Sequence, residues 1–177
     1  MRLAAWHGCR ERFATPAFHL PWPAYLWFAA ILSGFALLDG VGRPLTAYLV
    51  PPFAATLSII LLLPHQPVAR PAAVVLGSTL GAGLGTLAGM LGHGPLLAAL
   101  TAAGVFMLLS RLGLYHPPAL ALSMYPLLLH PGPWFALASV LPFTLVAVGT
   151  ATLLSRRVAA WPPYPLGNLL QGEEAAG

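Results

Sequence analysis

The residues best placed to do chemistry form two short blocks, His116-Pro117-Pro118-Ala119 and Pro51-Pro52-Phe53, each set within apolar sequence. Proline lacks an amide hydrogen and fixes φ, so a proline pair is unfavourable inside a helix and preorganised at its first turn. Each block therefore predicts a helix start. Behind Pro117 and Pro118 the N–H groups of Ala119 and Leu120 have no intrahelical acceptor, and the helix dipole adds partial positive character. Such an end binds anions readily. Thr56 and Ser123, roughly one turn beyond their proline pairs, offer hydroxyls, and His116 can donate a hydrogen bond or titrate near neutral pH. The candidate substrate-binding set is thus Pro51, Pro52, Phe53 and Thr56 with His116, Pro117, Pro118, Ala119, Leu120 and Ser123. A plainer use competes: proline is common in membrane helices, and Ser or Thr often bonds its own helix.

What must position these blocks follows from composition. Hydrophobic residues make up 58% of the chain and charged ones 7%, with a mean hydropathy of +0.80, well outside the range of soluble domains. The expectation is an all-α, polytopic membrane helix bundle. The net charge of +4 comes from arginines at the ends of apolar runs, so it reports topology and implies no nucleic acid. The single cysteine, Cys9, excludes an intrachain disulfide. The first apolar run begins late, with two early prolines and no small-residue exit, and reads as a retained span.

Breakers at Leu91 to Pro95 and His130 to Pro133 divide the longest uncharged stretches. Six membrane segments result: about Leu20 to Leu38, Pro44 to Leu63, Ala72 to Leu91, Leu96 to Ser110, Pro117 to Leu129 and Trp134 to Leu154. Six crossings from a cytoplasmic N-terminus put Arg2, Arg10, Arg12, Arg70, Arg111, Arg156 and Arg157 inside and only Arg43 outside. Re-entrant second and fifth segments would move Arg70 and Arg111 outside, a weaker bias. A shift of 66 residues lays Pro51–Pro67 over Pro117–Pro133 with seven of seventeen positions identical, including both proline pairs. Three spans per half would place the halves in opposite orientations, the inverted-repeat plan of secondary transporters. The domain reading is a cytoplasmic leader over residues 1–19, one transmembrane domain over 20–154 with repeats 20–91 and 96–154, and a cytoplasmic tail over 155–177.

Other motifs read as structural. Gly77, Gly81, Gly85 and Gly89 form overlapping G-x-x-x-G units on one helix face, which implies close backbone approach, either between the two halves or in a homo-oligomer. No lysine or preceding strand supports a phosphate loop there. Asp39 is read as pairing with Arg43 at the outer interface. Arg70 and Arg111 serve as topology anchors or as positive charge at a cytoplasmic mouth, and His65, His93 and His130 lie in turns. No metal-ligand spacing, carboxylate pair or Ser-His-Asp arrangement appears within the spans, so no metal, cofactor or enzymatic role is expected.

These blocks also carry a resemblance. His116 to Ala119, preceded by Pro52, Phe53, Ala55, Pro64, Pro67, Ala69 and Pro71, resembles the HPP family of small integral membrane proteins over roughly Leu20 to Leu154. The resemblance implies an α-helical membrane protein, usually described with four spans, and a transport role, with nitrite transport assigned to plastid and cyanobacterial relatives. The chain departs from the family pattern at Ala54, Thr56, Arg70 and Leu120; a leucine at 120 narrows a place where glycine would admit a ligand. The leading expectation is a small transporter or channel-like permease for a small inorganic anion such as nitrite, in a cell membrane such as the bacterial inner membrane, with both termini cytoplasmic and the lipid bilayer as its partner. The alternative is a structural or assembly subunit of a membrane complex. The two differ in whether a polar cavity reaches Ala119.

Overall fold

The computed structural model describes residues 19–41 and 49–165, which fold into six helices with no strand among them. In chain order these are α1 (Trp22–Val41), α2 (Pro51–Leu62), α3 (Ala73–Gly89), α4 (Pro95–Arg111), α5 (Pro117–Leu129) and α6 (Phe135–Arg157). A 3-10 turn at Pro67–Ala69 joins α2 to α3. Arg43 and Cys9 lie outside the described residues, and with Arg43 the expected pairing to Asp39.

Both double prolines start helices, as their chemistry requires. The residue before each is extended, Val50 at φ −129°, ψ 144° and His116 at φ −132°, ψ 115°, because proline Cδ excludes its predecessor from the helical region. The second segment, expected from Pro44, is helical from Pro51 within the described residues. At 12 and 13 residues, α2 and α5 are about 18 to 20 Å long, short of a ~30 Å hydrocarbon core. Among the described residues, the helices long and apolar enough to cross a membrane are Trp22–Asp39 and Phe135–Arg157. Proline recurs inside α5 at Pro126, and α5 ends on His130 in the left-handed region at φ 53°.

α3 and α6 share an unexpected feature: each opens with a π-helical turn, Ala73–Gly77 in α3 and Phe135–Val140 in α6. Each π turn packs against the body of the other helix.

Two sets of contacts can be distinguished within one bundle, in which α3 also packs extensively on α6. In the first, α3, α4 and α5 associate closely. Gly77, Gly81 and Gly85 are buried against α5 and the residues leading into it. A Cβ on Gly77 would strike the carbonyl oxygen of Leu114, one on Gly81 would lie 2.7 Å from that of Ala119, and one on Gly85 would strike that of Ser123. Of the two uses expected of the ladder, these three glycines show the close approach within the chain, facing its own α5 and the residues leading into it. Gly89 is only half-buried and makes looser contacts, 3.8 Å to Pro126 O. In the second group, Phe53 of α2 stacks on Phe143 of α6 at a centroid distance of 3.7 Å, with Phe35 of α1 edge-on to both. Trp27 of α1 donates to Thr150 Oγ1 of α6 at 2.9 Å and meets Trp161 edge-on. Without hydrophobic drive between helices in lipid, interdigitated rings and close backbones supply the cohesion.

Residues 158–165, read from the sequence as part of a tail, return to this second group. Trp161 and Tyr164 are buried, and the Tyr164 amide donates to Ser155 Oγ at 2.8 Å. Large apolar side chains are exposed along the helices, among them Leu37, Leu87, Leu100, Phe106 and Leu145, the surface that lipid tails solvate and water does not.

Candidate functional site

The α2 and α5 starts meet through one side chain. His116, fully buried, precedes α5 and bridges two other parts of the chain. Its Nδ1 lies 2.8 Å from the Val68 carbonyl, presented by the 3-10 turn, and its Nε2 lies 3.0 Å from Thr56 Oγ1 of α2. A carbonyl can only accept, so Nδ1 carries a proton and donates to Val68. In the neutral ring Nε2 then accepts from the Thr56 hydroxyl, whose single proton is also offered the Pro52 carbonyl at 3.2 Å. The extended backbone at 116, fixed by the following proline, sets the imidazole ahead of α5 where it can reach both partners.

Of the residues proposed from the sequence, His116, Thr56 and Pro52 come together. The others do not line a common ligand site. Ser123 is buried, but its hydroxyl donates to Leu120 O of its own helix at 2.7 Å. Phe53 belongs to the aromatic stack, and Leu120 packs with Val105, Leu109 and Ala119 on the α4 side. Pro51 and Pro117 are exposed and Pro118 is buried. The expectation of a free N–H at Ala119 is corrected: it donates to His116 O at 2.9 Å, as Phe53 N–H does to Val50 O at 2.9 Å. Each helix start closes on its own cap carbonyl, so neither presents the open amide pair expected of an anion cradle. Ala119 is fully buried with its carbonyl against Gly81.

Cavities lie elsewhere. One of about 230 Å³ opens at the far end of α3 and α5, lined by Thr86, Met90, His93, Pro126 and His130. There the His93 and His130 rings stand 4.2 Å apart, and Gly94 N–H donates to Leu127 O, fastening the α3–α4 turn to the end of α5. Another, of about 340 Å³, is a groove between α3 and the start of α6, lined by Thr79, Thr86, Ala136 and the exposed Leu80, Leu87 and Leu137 among others.

Two residues absent from the sequence-based set stand out once hydrogen bonds are traced. Hydroxyls on these helices usually back-bond: Ser58, Thr79, Thr86, Thr144, Thr150 and Thr152 each donate to the carbonyl four residues earlier. Ser78 and Ser139 are fully buried, yet their hydroxyls have no partner within the described residues. Ser78 follows the α3 π turn, and its own N–H is shared between the Val74 and Val75 carbonyls. Ser139 sits within the α6 π turn. No local signal marks them, because a serine in an apolar helix is ordinarily self-satisfied. The third such atom is the Tyr164 hydroxyl, whose burial raises its pKa above the usual phenol value.

Double-proline helix starts joined through the histidine ahead of the second agree with the family comparison: the model of the HPP transmembrane region matches residues 17–165. The chain belongs to the HPP family. The match covers most of the chain and includes the returning segment 158–165. No curated protein and no solved structure shows significant similarity to this HPP chain.

Proposed function

We propose that this HPP protein is a small membrane permease for a small inorganic anion, nitrite being one candidate, built as two inverted three-helix repeats. The observation that carries the proposal is the correspondence between halves: a short double-proline helix in second place and a π-initiated helix in third place. Matched interrupted helices in opposed repeats are the transporter plan, and π turns concentrate at functional sites.

The repeat reading draws further support from how the loops meet. Val68 and His116 join the α2–α3 and α4–α5 connections at one end, while His93 and His130 join the α3–α4 and α5–α6 connections at the other. Six crossings with Arg70, Arg111, Arg156 and Arg157 on the cytoplasmic side fit both pairings. The packing groups α1–α2–α6 and α3–α4–α5 then arise from the two repeats by exchange of their third helices.

In this reading the His116–Thr56 bond joins the two groups as a pivot or latch, and the ligand does not sit on Ala119. The second reading, a packing or assembly subunit, is favoured by one specific observation: the helix starts are closed and Ala119 is buried against Gly81. Purified protein in liposomes, assayed for uptake of nitrite, nitrate and chloride against protein-free vesicles, separates the readings. Protein-dependent flux of at least one anion is expected. No flux across the panel refutes the permease and leaves the assembly role.

A further inference from the structure

We propose that Ser78 and Ser139 are ligand groups of an uncharged anion site at the crossing of α3 and α6, selective for monovalent, weakly hydrated anions. This rests on the permease reading and gives it a location.

A buried hydroxyl without a partner is unfavourable and calls for a specific explanation. Here there are two, Ser78 at the end of the α3 π turn and Ser139 within the α6 π turn, on helices that pack against one another. Their neighbours Val74, Ala82, Phe135, Val140 and Phe143 are buried and apolar, so water competes poorly and a hydroxyl donated to an anion gains strength.

Selectivity follows from what surrounds these donors. The arginines among the described residues, Arg70, Arg111, Arg156 and Arg157, are all exposed, and no cationic side chain is buried with Ser78 and Ser139. Two neutral donors compensate the dehydration of a singly charged, diffuse anion far better than that of sulfate or phosphate.

The test uses full-length protein in liposomes with nitrite, nitrate, chloride and sulfate as probes, comparing wild type with Ser78→Ala, Ser139→Ala and the double variant. Each single variant should lose roughly tenfold to a hundredfold in nitrite flux at subsaturating concentration, the value of one hydrogen bond to a charged group. Melting temperatures should stay level or rise, because alanine removes an unpartnered polar atom from an apolar core. Wild type should pass nitrite and nitrate and reject sulfate. Unchanged flux in both single variants overturns the site while leaving the permease standing, as does sulfate flux equal to nitrite flux. Absence of wild-type flux for every probe overturns the permease itself and the site with it.

Discussion

Two glycines only two residues apart in α3 should respond to alanine with opposite signs. A Cβ on Gly85 would lie 2.7 Å from Ser123 C and 2.8 Å from Ser123 Cα, with the carbonyl oxygen closer still, whereas one on Gly83 meets nothing within 4 Å. All three Ser123 atoms are backbone, so no rotamer change relieves the clash. Ordinary contact needs about 3.4 Å, so these two atoms alone require α3 and α5 to part by about 0.6 to 0.7 Å along the ladder, and the closer carbonyl oxygen requires more. Forced separation of a packed interface is worth about 1–3 kcal/mol, and backbone against backbone belongs at the upper end. Subtracting the ~1 kcal/mol that alanine gains over glycine as a helix former leaves Gly85→Ala about 2 kcal/mol less stable. Gly83→Ala keeps the gain alone, up to about 1 kcal/mol. For a chain of this size the ~3 kcal/mol spread corresponds to roughly 6 to 12 °C between the variants' melting temperatures. Helical circular dichroism of the detergent-solubilised protein, followed on heating, measures it. A Gly85→Ala variant that melts at or above Gly83→Ala refutes the internal placement of the ladder.

The remaining predictions concern the latch and the topology. Removing the imidazole with His116→Ala leaves the part-buried Val68 carbonyl without its histidine donor and should destabilise by about 1–3 kcal/mol; with Thr56→Val, a double-mutant cycle should return a coupling of about 0.5 kcal/mol or more, and strict additivity contradicts the 3.0 Å contact. In a Cys9→Ser background, single cysteines at His65 and His130 should react with impermeant maleimide from opposite sides of the membrane. Labelling from one side contradicts six crossings.

Some of this architecture was legible because single residues dictate it. Proline at 51–52 and 117–118 cannot sit mid-helix without loss, so both helix starts follow from covalent chemistry, and the extended residue before each follows from the same ring. The glycine ladder announced close approach without naming its partner, since small residues every fourth position specify a face and nothing about what covers it. Candidate-site residues fared unevenly for the same reason. His116 and Thr56 share a bond across 60 positions of sequence, while Ser123 and Leu120, chosen for proximity in sequence, turn to their own helix or to α4. Ser78 and Ser139 stayed hidden because nothing local distinguishes an unpartnered serine hydroxyl from one that bonds its own helix.

The distribution of polar contacts then decides which parts can move. Within α3–α4–α5 the glycine face brings backbones together over successive turns, and within α1–α2–α6 the three phenylalanines and Trp27 interlock. Packed surfaces of this kind are bistable at best and do not deform gradually. Between the groups lie the His116–Thr56 bond and the packed crossing of α3 on α6, which carries the two orphan serines. A histidine bond has a discrete broken state, and an unpartnered hydroxyl loses nothing when its surroundings shift. On the proposed permease reading, this boundary is the one across which the two repeats would exchange their third helices, and the histidine of the HPP block would act on opening through its bond to Thr56, apart from the serines.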